Sequence, residues 1–181
     1  MADRAKGTVV SVNVSSRKGE AKRPVAKAVF REGHGIEGDV HAGPGERQVS
    51  LLAWEAVQAQ VELMRREGVT CPKAADLAHG HAEGARARGR ADDAPDIRPG
   101  DYAENLTAQG VDLAGVSPGA RIEVGREVLL EVTRIGKECH TVCAVYARLG
   151  DCVMPREGVF ARVLRGGRVR AGDDVRLVLP E

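Results

Sequence analysis

A chain of 181 residues has the length of one domain, or of one domain with a sizeable insertion, and can bury a hydrophobic core without disulfides or metal ions. Its 27 Lys and Arg residues nearly balance its 26 Asp and Glu residues, so the net charge gives no reason to expect binding to nucleic acid or to a membrane surface. Only 3% of the residues are aromatic, which leaves few platforms on which bases could stack. Any anionic ligand must therefore be held by a local cluster of positive side chains.

The expected compartment is the cytoplasm. The N-terminal residues contain no apolar stretch of the kind found in a signal peptide, and no later segment approaches the ~20 apolar residues of a membrane span. The cysteines are then expected to be reduced thiols that serve packing, metal binding or chemistry. They are Cys71, Cys139, Cys143 and Cys152.

The apolar pattern predicts many short strands. Thr8–Val14 alternates so that Val10, Val12 and Val14 share one face, and Pro24–Phe30 is extended and can pair with it as a hairpin. Similar turns at Pro118-Gly119-Ala120 and Ala171-Gly172-Asp173 precede two later strands, a recurrence common in barrels. The further predicted strands are Gln48–Leu52, Ala120–Val124, Glu127–Ile135 and Asp174–Leu179. The predicted fold is mainly β and β-barrel-like, with a few short helices.

Helical spacing of apolar residues predicts two helices. The first begins near Trp54 and ends at Gly68, with an apolar face of Trp54, Val57, Val61 and Met64. A second, shorter helix is predicted from Val159 to Leu164, before Gly166-Gly167.

Apolar periodicity disappears between Val69 and Pro99. This stretch consists largely of Ala, Gly, Arg, Asp and His, and it predicts a flexible insertion at about residues 69–99 within a single domain spanning residues 1–181. Its basic residues Arg86, Arg88 and Arg90 could contact phosphate, although a solvated charged loop is the favoured interpretation.

The strongest chemical signal is the segment around Cys139. Lys137 lies two residues before this cysteine and His140 directly follows it, and positive neighbours favour the reactive thiolate form. Such a thiolate suits a nucleophile, a sulfur carrier that forms a persulfide, or a soft metal ligand. The residues alone leave the reactive and the buried interpretation of Cys139 equally open. Burial as small apolar side chains is favoured for Cys143 and Cys152.

Backbone conformation decides whether two of these thiols can meet. In an extended segment, Cys139 and Cys143 would share a face at roughly 13 Å separation, with His140 on the opposite face. A turn or helix after Cys139 would let the thiols approach. The Cys-x3-Cys-x8-Cys spacing differs from that of structural zinc sites and argues against one.

Two polar loops accompany the cysteines. The glycine-rich loop from Gly33 to Arg47 carries mixed ionisable groups, and the segment from Gly100 to Leu106 carries Asn105, which presents both a donor and an acceptor. Each could be simple turn capping, but three polar clusters in one small domain favour a pocket. No nucleotide-binding glycine motif and no serine-nucleophile elbow is present. The glycine-rich segment offers Asp39, His41, Arg47 and the adjoining Gln48.

Four stretches in order resemble the landmarks of small stand-alone bacterial members of the MOSC family, the molybdenum-cofactor sulfurase C-terminal domain. They span nearly the whole chain except the insertion. The stretches are Gly35–Gly43 with Arg47–Leu52, Gly100–Thr107, Gly136–His140 and Met154–Leu164.

The resemblance implies a MOSC β-barrel, a pocket associated with the molybdenum cofactor (molybdopterin), and one key cysteine. That cysteine corresponds best to Cys139, which is also the candidate molybdenum ligand, and Cys143 is its rival. The implied cofactor-binding residues are Asp39, His41, Arg47, Gln48, Glu104, Asn105, Lys137, His140 and Arg162.

The first functional hypothesis is a sulfur carrier or sulfurtransferase-like domain that holds sulfur on Cys139, transfers it to a molybdenum centre, or ligates that centre. The chain is too short to contain the pyridoxal-phosphate cysteine desulfurase found in larger relatives, so a desulfurase or a molybdoenzyme would be its partner. One alternative is a non-catalytic module that binds and delivers the cofactor. A second is a molybdenum-dependent reductase of N-hydroxylated compounds. Whether the chain is an enzyme stays open at this point.

Overall fold

The computed structural model describes residues 5–67, 96–139, 143–149 and 151–178. Within these ranges the chain is mainly β, with three helices: α1 (Trp54–Glu67), α2 (Ala144–Leu149) and α3 (Met154–Glu157). The strands are β1 (Lys6–Val14), β2 (Arg23–Val25), β3 (Ala28–Arg31), β4 (Gly35–Ile36), β5 (Val49–Ala53), β6 (Leu106–Gln109), β7 (Arg121–Val124), β8 (Val128–Ile135), β9 (Val159–Arg165), β10 (Gly167–Val169) and β11 (Asp174–Val178).

Seven strands close into a barrel. Their order is β11-β7-β8-β9-β5-β6-β1, and β1 pairs with β11 to complete the ring, while β2 pairs with the other end of β1. All neighbours in the ring are antiparallel except β5 and β6, which are parallel and whose long connection contains α1. Closure leaves no free edge in the ring. The predicted β-barrel is confirmed. The predicted pairing of Pro24–Phe30 with the first strand is confirmed only for its beginning, because β2 pairs with β1 whereas β3 pairs with β4 and β10 in a separate sheet.

The barrel interior is filled by aliphatic side chains. On β7, β8 and β9 the inward positions alternate with outward ones, as the period of two along a strand requires. Both predicted glycine turns are present, and Gly119 and Gly172 occupy positive φ angles of 90° and 89° that favour glycine. Inward residues include Ile122, Val124, Leu130, Val132, Ala161 and Val163.

The first strand differs from its prediction in which residues face the core. A register shift against β6 between Val9 and Ser11 leaves Val10 unpaired, and this bulge reverses the alternation. Val9 and Val12 are therefore buried in the barrel, whereas Val10 is not part of the core. The predicted face is confirmed for Val12, which is buried, and for Val14, which packs against the core, but it is wrong for Val10, because a bulge has no simple alternating signature.

The second predicted helix is wrong, because Val159 to Leu164 lies within strand β9. This strand pairs with β5 on one side and β8 on the other. Val159 and Val163 point into the barrel, and Phe160 packs outside it in a separate apolar cluster. With apolar residues buried on both faces, the strand lacks the polar and apolar alternation that would reveal it.

The three helices enclose that second apolar cluster on the outside of the barrel. Helix α1 contacts β5 and β6 with Val57 buried and Glu55 exposed, which confirms the predicted helix face. In the described part of the chain, no helix combines the length and apolarity needed to cross a membrane. The buried members of this outer cluster are Leu52, Val57, Ile97, Tyr102, Val145, Leu149, Cys152, Val153, Met154 and Phe160.

Candidate functional site

A buried ion pair joins the β1–β2 connection to the glycine-rich loop. Lys22 Nζ donates to Asp39 Oδ2 at 2.5 Å, and neither side chain is exposed to solvent. The same carboxylate oxygen accepts the Ser15 backbone N–H at 3.1 Å. Burial alone would raise the pKa of Asp39, but the close His41 and Lys22 side chains and the hydrogen bond from the His41 backbone N–H outweigh burial and hold that pKa well below its usual range. Asp39 is therefore a buried carboxylate that stays charged.

His41 lies at the surface end of this pair. Its Nδ1 is 3.2 Å from Lys22 Nζ and 3.4 Å from Asp39 Oδ1, and its backbone N–H donates to the same Oδ1 at 3.0 Å. The His41 side chain is 39% exposed, whereas the two groups behind it are fully buried. The loop thus presents one accessible imidazole on a fixed, charged support.

Lys22 also connects this loop to the Gly100–Asn105 segment. Its backbone N–H donates to Gly100 O at 2.8 Å, and a side chain at position 100 would collide with the Lys22 carbonyl. Burial lowers the pKa of Lys22, and Asp39 together with Glu104 of the same segment opposes this effect. The two polar loops predicted from the sequence therefore meet at one lysine.

Glu104 is buried with only half of its carboxyl group bonded. Its Oε1 accepts the Gly100 N–H and the Thr107 hydroxyl, each at 2.6 Å, while Oε2 has no hydrogen-bond partner. Burial raises the pKa of Glu104 against the opposing effect of these bonds. This side chain is therefore expected to be protonated more readily than an ordinary glutamate.

A second unbonded polar atom lies two residues away. The buried Tyr102 hydroxyl has no hydrogen-bond partner, and burial raises its pKa. Between these residues, Ala103 adopts a left-handed φ of 65°, the one positive φ of a non-glycine residue in the described ranges. Tyr102 and Cys152 belong to the same outer apolar cluster, so this turn faces the cysteine region.

Asn105 links three strands of the barrel through its side-chain amide. Its Oδ1 accepts the Ser50 N–H and hydroxyl, each at 3.1 Å, and its Nδ2 donates to Asn13 O at 3.1 Å. These bonds link β1, β5 and the start of β6. Since both ends of the amide are engaged, Asn105 contributes to the site by fixing the position of Glu104.

Cys139 follows the end of β8 and is half-buried. The turn that leads to it is docked on helix α3: the Gly136 N–H donates to Gly158 O at 2.7 Å, and any side chain at position 136 would collide with Pro155 O. Gly136 also has a φ of 68°. This close approach fixes where the Lys137–Cys139 segment leaves the barrel.

The other two described cysteines lie nearby in the outer apolar cluster. Cys152 is buried, and burial raises the pKa of its thiol to about 12, so this group stays protonated. Lys137, Cys143 and Cys139 all act electrostatically on Cys152, which places the three thiols and this lysine in one region. The positive charge of Lys137 also contributes to lowering the pKa of Lys22, so the cysteine region lies within electrostatic range of the Asp39 loop.

Three other predicted site residues form no hydrogen bond or ion pair with the described residues of this region. Gln48 is buried and its Oε1 accepts the Val163 N–H at 2.9 Å, so it ties β5 to β9. Arg162 pairs with Glu131 at 2.6 Å on the outside of the barrel. Arg47 is exposed and makes no hydrogen bond or ion pair with the described residues.

Some predictions fall outside the described residues. They concern His140, Cys71, and the Arg86, Arg88 and Arg90 cluster, together with most of the predicted 69–99 insertion. Among the residues that are described, no group of three or more His, Cys, Asp and Glu side chains could hold a metal ion.

Comparison with known protein families decides the affiliation of the chain. The MOSC domain model matches residues 37–176, which include Asp39, His41, Glu104 and Cys139. The chain belongs to the MOSC domain family. It is thereby related to proteins associated with molybdenum-cofactor sulfuration.

Solved structures agree with the MOSC fold. The chain resembles the YuaD protein from Bacillus subtilis, with a TM-score of 0.64, 18% identity and coverage of 100% of both chains. It also resembles YiiM from Geobacillus stearothermophilus (TM-score 0.58, 18% identity, 96% of this chain and 75% of that one) and YiiM from Escherichia coli (TM-score 0.59, 17% identity, 97% and 71%). These likenesses concern the fold alone. No curated protein sequence matches the chain.

Three residues of the candidate site were not predicted individually from the sequence: Lys22, Ser15 and Tyr102. Lys22 lies in a polar turn before the segment that the family model matches, where a lysine is normally solvated. Its burial depends on Asp39, which is 17 residues away. An inspection for charged residues flanking the glycine-rich loop could have included Lys22, but nothing local distinguishes it from Lys18.

Proposed function

We propose that this MOSC domain is a sulfur carrier for molybdenum-cofactor chemistry and that Cys139 is its acceptor thiol. The observation that carries the proposal is the contrast between two thiols in one region. Cys152 is buried and protonated, whereas Cys139 is half-buried, follows a fixed turn at the barrel end, and lies two residues from Lys137. A partly accessible thiol can be reached by a sulfur donor, whereas a buried, protonated thiol cannot.

Sulfur transfer to Cys139 is a thiol exchange without net oxidation or reduction. The Cys139 thiolate would attack the outer sulfur of a persulfide on a cysteine desulfurase and form a new S–S bond. The S–S bond of the donor breaks, and its cysteine leaves as a thiolate that takes up a proton. Lys137 would stabilise the negative charge on the loaded persulfide.

The chemistry of the side chains fits the molybdenum cofactor. Cys139 offers a soft sulfur ligand of the kind that thiophilic metals prefer, while Lys137 and the half-exposed His41 offer polar groups for an anionic pterin phosphate. When bound, the cofactor would supply a molybdenum centre able to accept sulfur. The task of the chain would be to hold sulfur or the cofactor at this barrel end.

The test is intact-mass spectrometry with thiol labelling after incubation with a cysteine desulfurase and cysteine. We expect the wild-type protein to gain about 32 Da, one sulfur atom, and Cys139→Ala to gain none. Cys143→Ser serves as the matched control, since it removes a neighbouring half-buried thiol but leaves Cys139 in place.

Two other outcomes would reject Cys139 as the acceptor. Loss of the adduct in Cys143→Ser, with retention in Cys139→Ala, would assign the reaction to Cys143. Absence of the adduct in all three proteins would favour the second candidate function, a module that binds and delivers the cofactor. The observation that favours this second function is the buried Lys22–Asp39 pair, which holds His41 in place before any ligand arrives.

A further inference from the structure

The Lys22 ammonium has a complete set of hydrogen-bond partners. Its three N–H groups face Asp39 Oδ2 at 2.5 Å, His41 Nδ1 at 3.2 Å and Ser15 Oγ at 3.4 Å. An ammonium group is a donor in all three positions and cannot accept. Because the Lys22 side chain has no solvent exposure, losing any of these acceptors would leave a buried N–H without a hydrogen bond, which is unfavourable. The imidazole Nδ1 must therefore present its lone pair to Lys22.

We propose that Lys22 is a positioning residue that fixes the tautomer of His41, with the proton on Nε2 and the lone pair on Nδ1. The competing arrangement puts a proton on Nδ1 and donates it to Asp39 Oδ1, which is 3.4 Å away. Two features oppose it. A proton on Nδ1 would point toward the ammonium, and Asp39 Oδ1 already accepts the His41 backbone N–H at the shorter distance of 3.0 Å.

The charges around His41 support the same arrangement. Asp39 lies in the same loop as His41, and Lys22 lies in the β1–β2 connection. Two further charged groups affect the pKa of Lys22: Glu104, before β6, raises it, and Lys137, after β8, lowers it. Among the described residues, Asp39 is the one buried carboxylate that is hydrogen-bonded to Lys22, and burial disfavours the charged form of Glu104. The Lys22 ammonium of this ion pair then donates to His41 Nδ1 and thereby orients the ring.

This arrangement assigns His41 a specific chemical role. Since Nδ1 faces two fully buried side chains, the exposed part of the ring lies on the Nε2 side. His41 would therefore donate a hydrogen bond from Nε2–H to an oxygen or sulfur acceptor on a bound ligand. It would not ligate a metal through Nε2, because ligation would require a proton on Nδ1, where the ammonium already donates. The inference stands independently of sulfur transfer by Cys139.

The test is nuclear magnetic resonance of protein labelled with 15N-histidine, using long-range proton–nitrogen correlation at neutral pH without any ligand. The chain has five histidines, and the His41 signals are assigned by their loss in His41→Gln. We expect wild-type His41 to show the neutral Nε2–H pattern. In Lys22→Met, the ring is free to donate from Nδ1 to Asp39, so a substantial fraction should change to the Nδ1–H pattern.

Ser15→Ala is the matched control, because it removes one acceptor of Lys22 but leaves the contact between Lys22 and His41. Its His41 signals should keep the wild-type pattern. The dispersed amide and methyl proton signals of the barrel core report whether each variant remains folded. An Nδ1–H pattern in the wild-type protein would overturn the inference, and so would an unchanged Nε2–H pattern in folded Lys22→Met. If Lys22→Met does not fold, the wild-type tautomer alone decides.

Discussion

Two buried carboxyl groups lie within electrostatic range of Lys22, and they differ in how completely they are hydrogen-bonded. Asp39 accepts hydrogen bonds at both oxygens and contacts the ammonium directly. Glu104 has one bonded and one unbonded oxygen, and it acts on Lys22 without a hydrogen bond to it. Accordingly, neighbouring groups lower the pKa of Asp39 in spite of its burial, whereas burial raises the pKa of Glu104.

The difference shows what keeps a charge stable inside this barrel. Burial disfavours the ionised form of both groups, so the local bonds decide the outcome. Asp39 has a cation and backbone N–H groups around it, whereas the two donors at Glu104 reach only one oxygen. We therefore expect the Asp39 region to depend on a charge pair and the Glu104 region to depend on packing and neutral hydrogen bonds.

The largest effect is expected from breaking the charge pair. Asp39→Asn leaves the buried Lys22 ammonium without its counter-ion, and breaking such a pair from one side costs about 3–5 kcal/mol. The free energy of unfolding from denaturant titration measures this cost. The control is the double variant Lys22→Met with Asp39→Leu, which removes both charges and should be closer to the wild-type protein than Asp39→Asn is. A loss below about 1 kcal/mol in Asp39→Asn would show that the pair contributes little.

An intermediate effect is expected at Glu104, and it should depend on pH. A carboxyl group whose pKa is raised in the folded protein contributes stability at low pH, and this contribution is lost as the pH rises from its ordinary value of 4.5 through the folded value. Glu104→Gln cannot ionise and keeps an oxygen that can accept from Gly100 and Thr107. The wild-type protein should therefore lose stability relative to Glu104→Gln as the pH rises from mildly acidic to mildly alkaline values.

Parallel denaturant titrations of the two proteins across that pH range provide the measurement. The comparison isolates Glu104, because all other titrating groups are shared. A difference in unfolding free energy that stays constant with pH, or that moves in favour of the wild-type protein at high pH, would contradict the raised pKa.

Parts of this fold follow from local sequence patterns. The alternation of Ala120–Val124 and the helical spacing from Trp54 depend on neighbours along the chain, so β7 and α1 were predictable. Strand β9 was not, because both of its faces are covered, one by the barrel interior and one by the outer cluster. The bulge at Val10 likewise arises from pairing with β6, which lies far along the chain.

The site residues likewise fall into those that local sequence patterns indicate and those that depend on long-range contacts. The glycine-rich loop indicated Asp39 and His41 as polar residues in an irregular segment, but their contacts required the fold. Gln48 has the same polar character in the sequence, yet it accepts a backbone N–H from Val163, 115 residues away. Lys22 has no local feature that predicts burial. Residue type therefore indicated candidates, whereas long-range contacts decide which of them act together.

The smallest effect on the free energy of unfolding is expected at Tyr102, which lies two residues before Glu104 in the same buried turn. The Tyr102 hydroxyl is buried without a hydrogen-bond partner, so the protein gains nothing from this group to offset its loss of hydration. Tyr102→Phe removes the hydroxyl and keeps the ring in the outer apolar cluster. The free energy of unfolding should therefore change by less than about 0.5 kcal/mol or increase, measured by the same titration. A loss of more than about 1 kcal/mol would mean that the hydroxyl is bonded in solution, and the Glu104 region would then resemble the fully bonded Asp39 region.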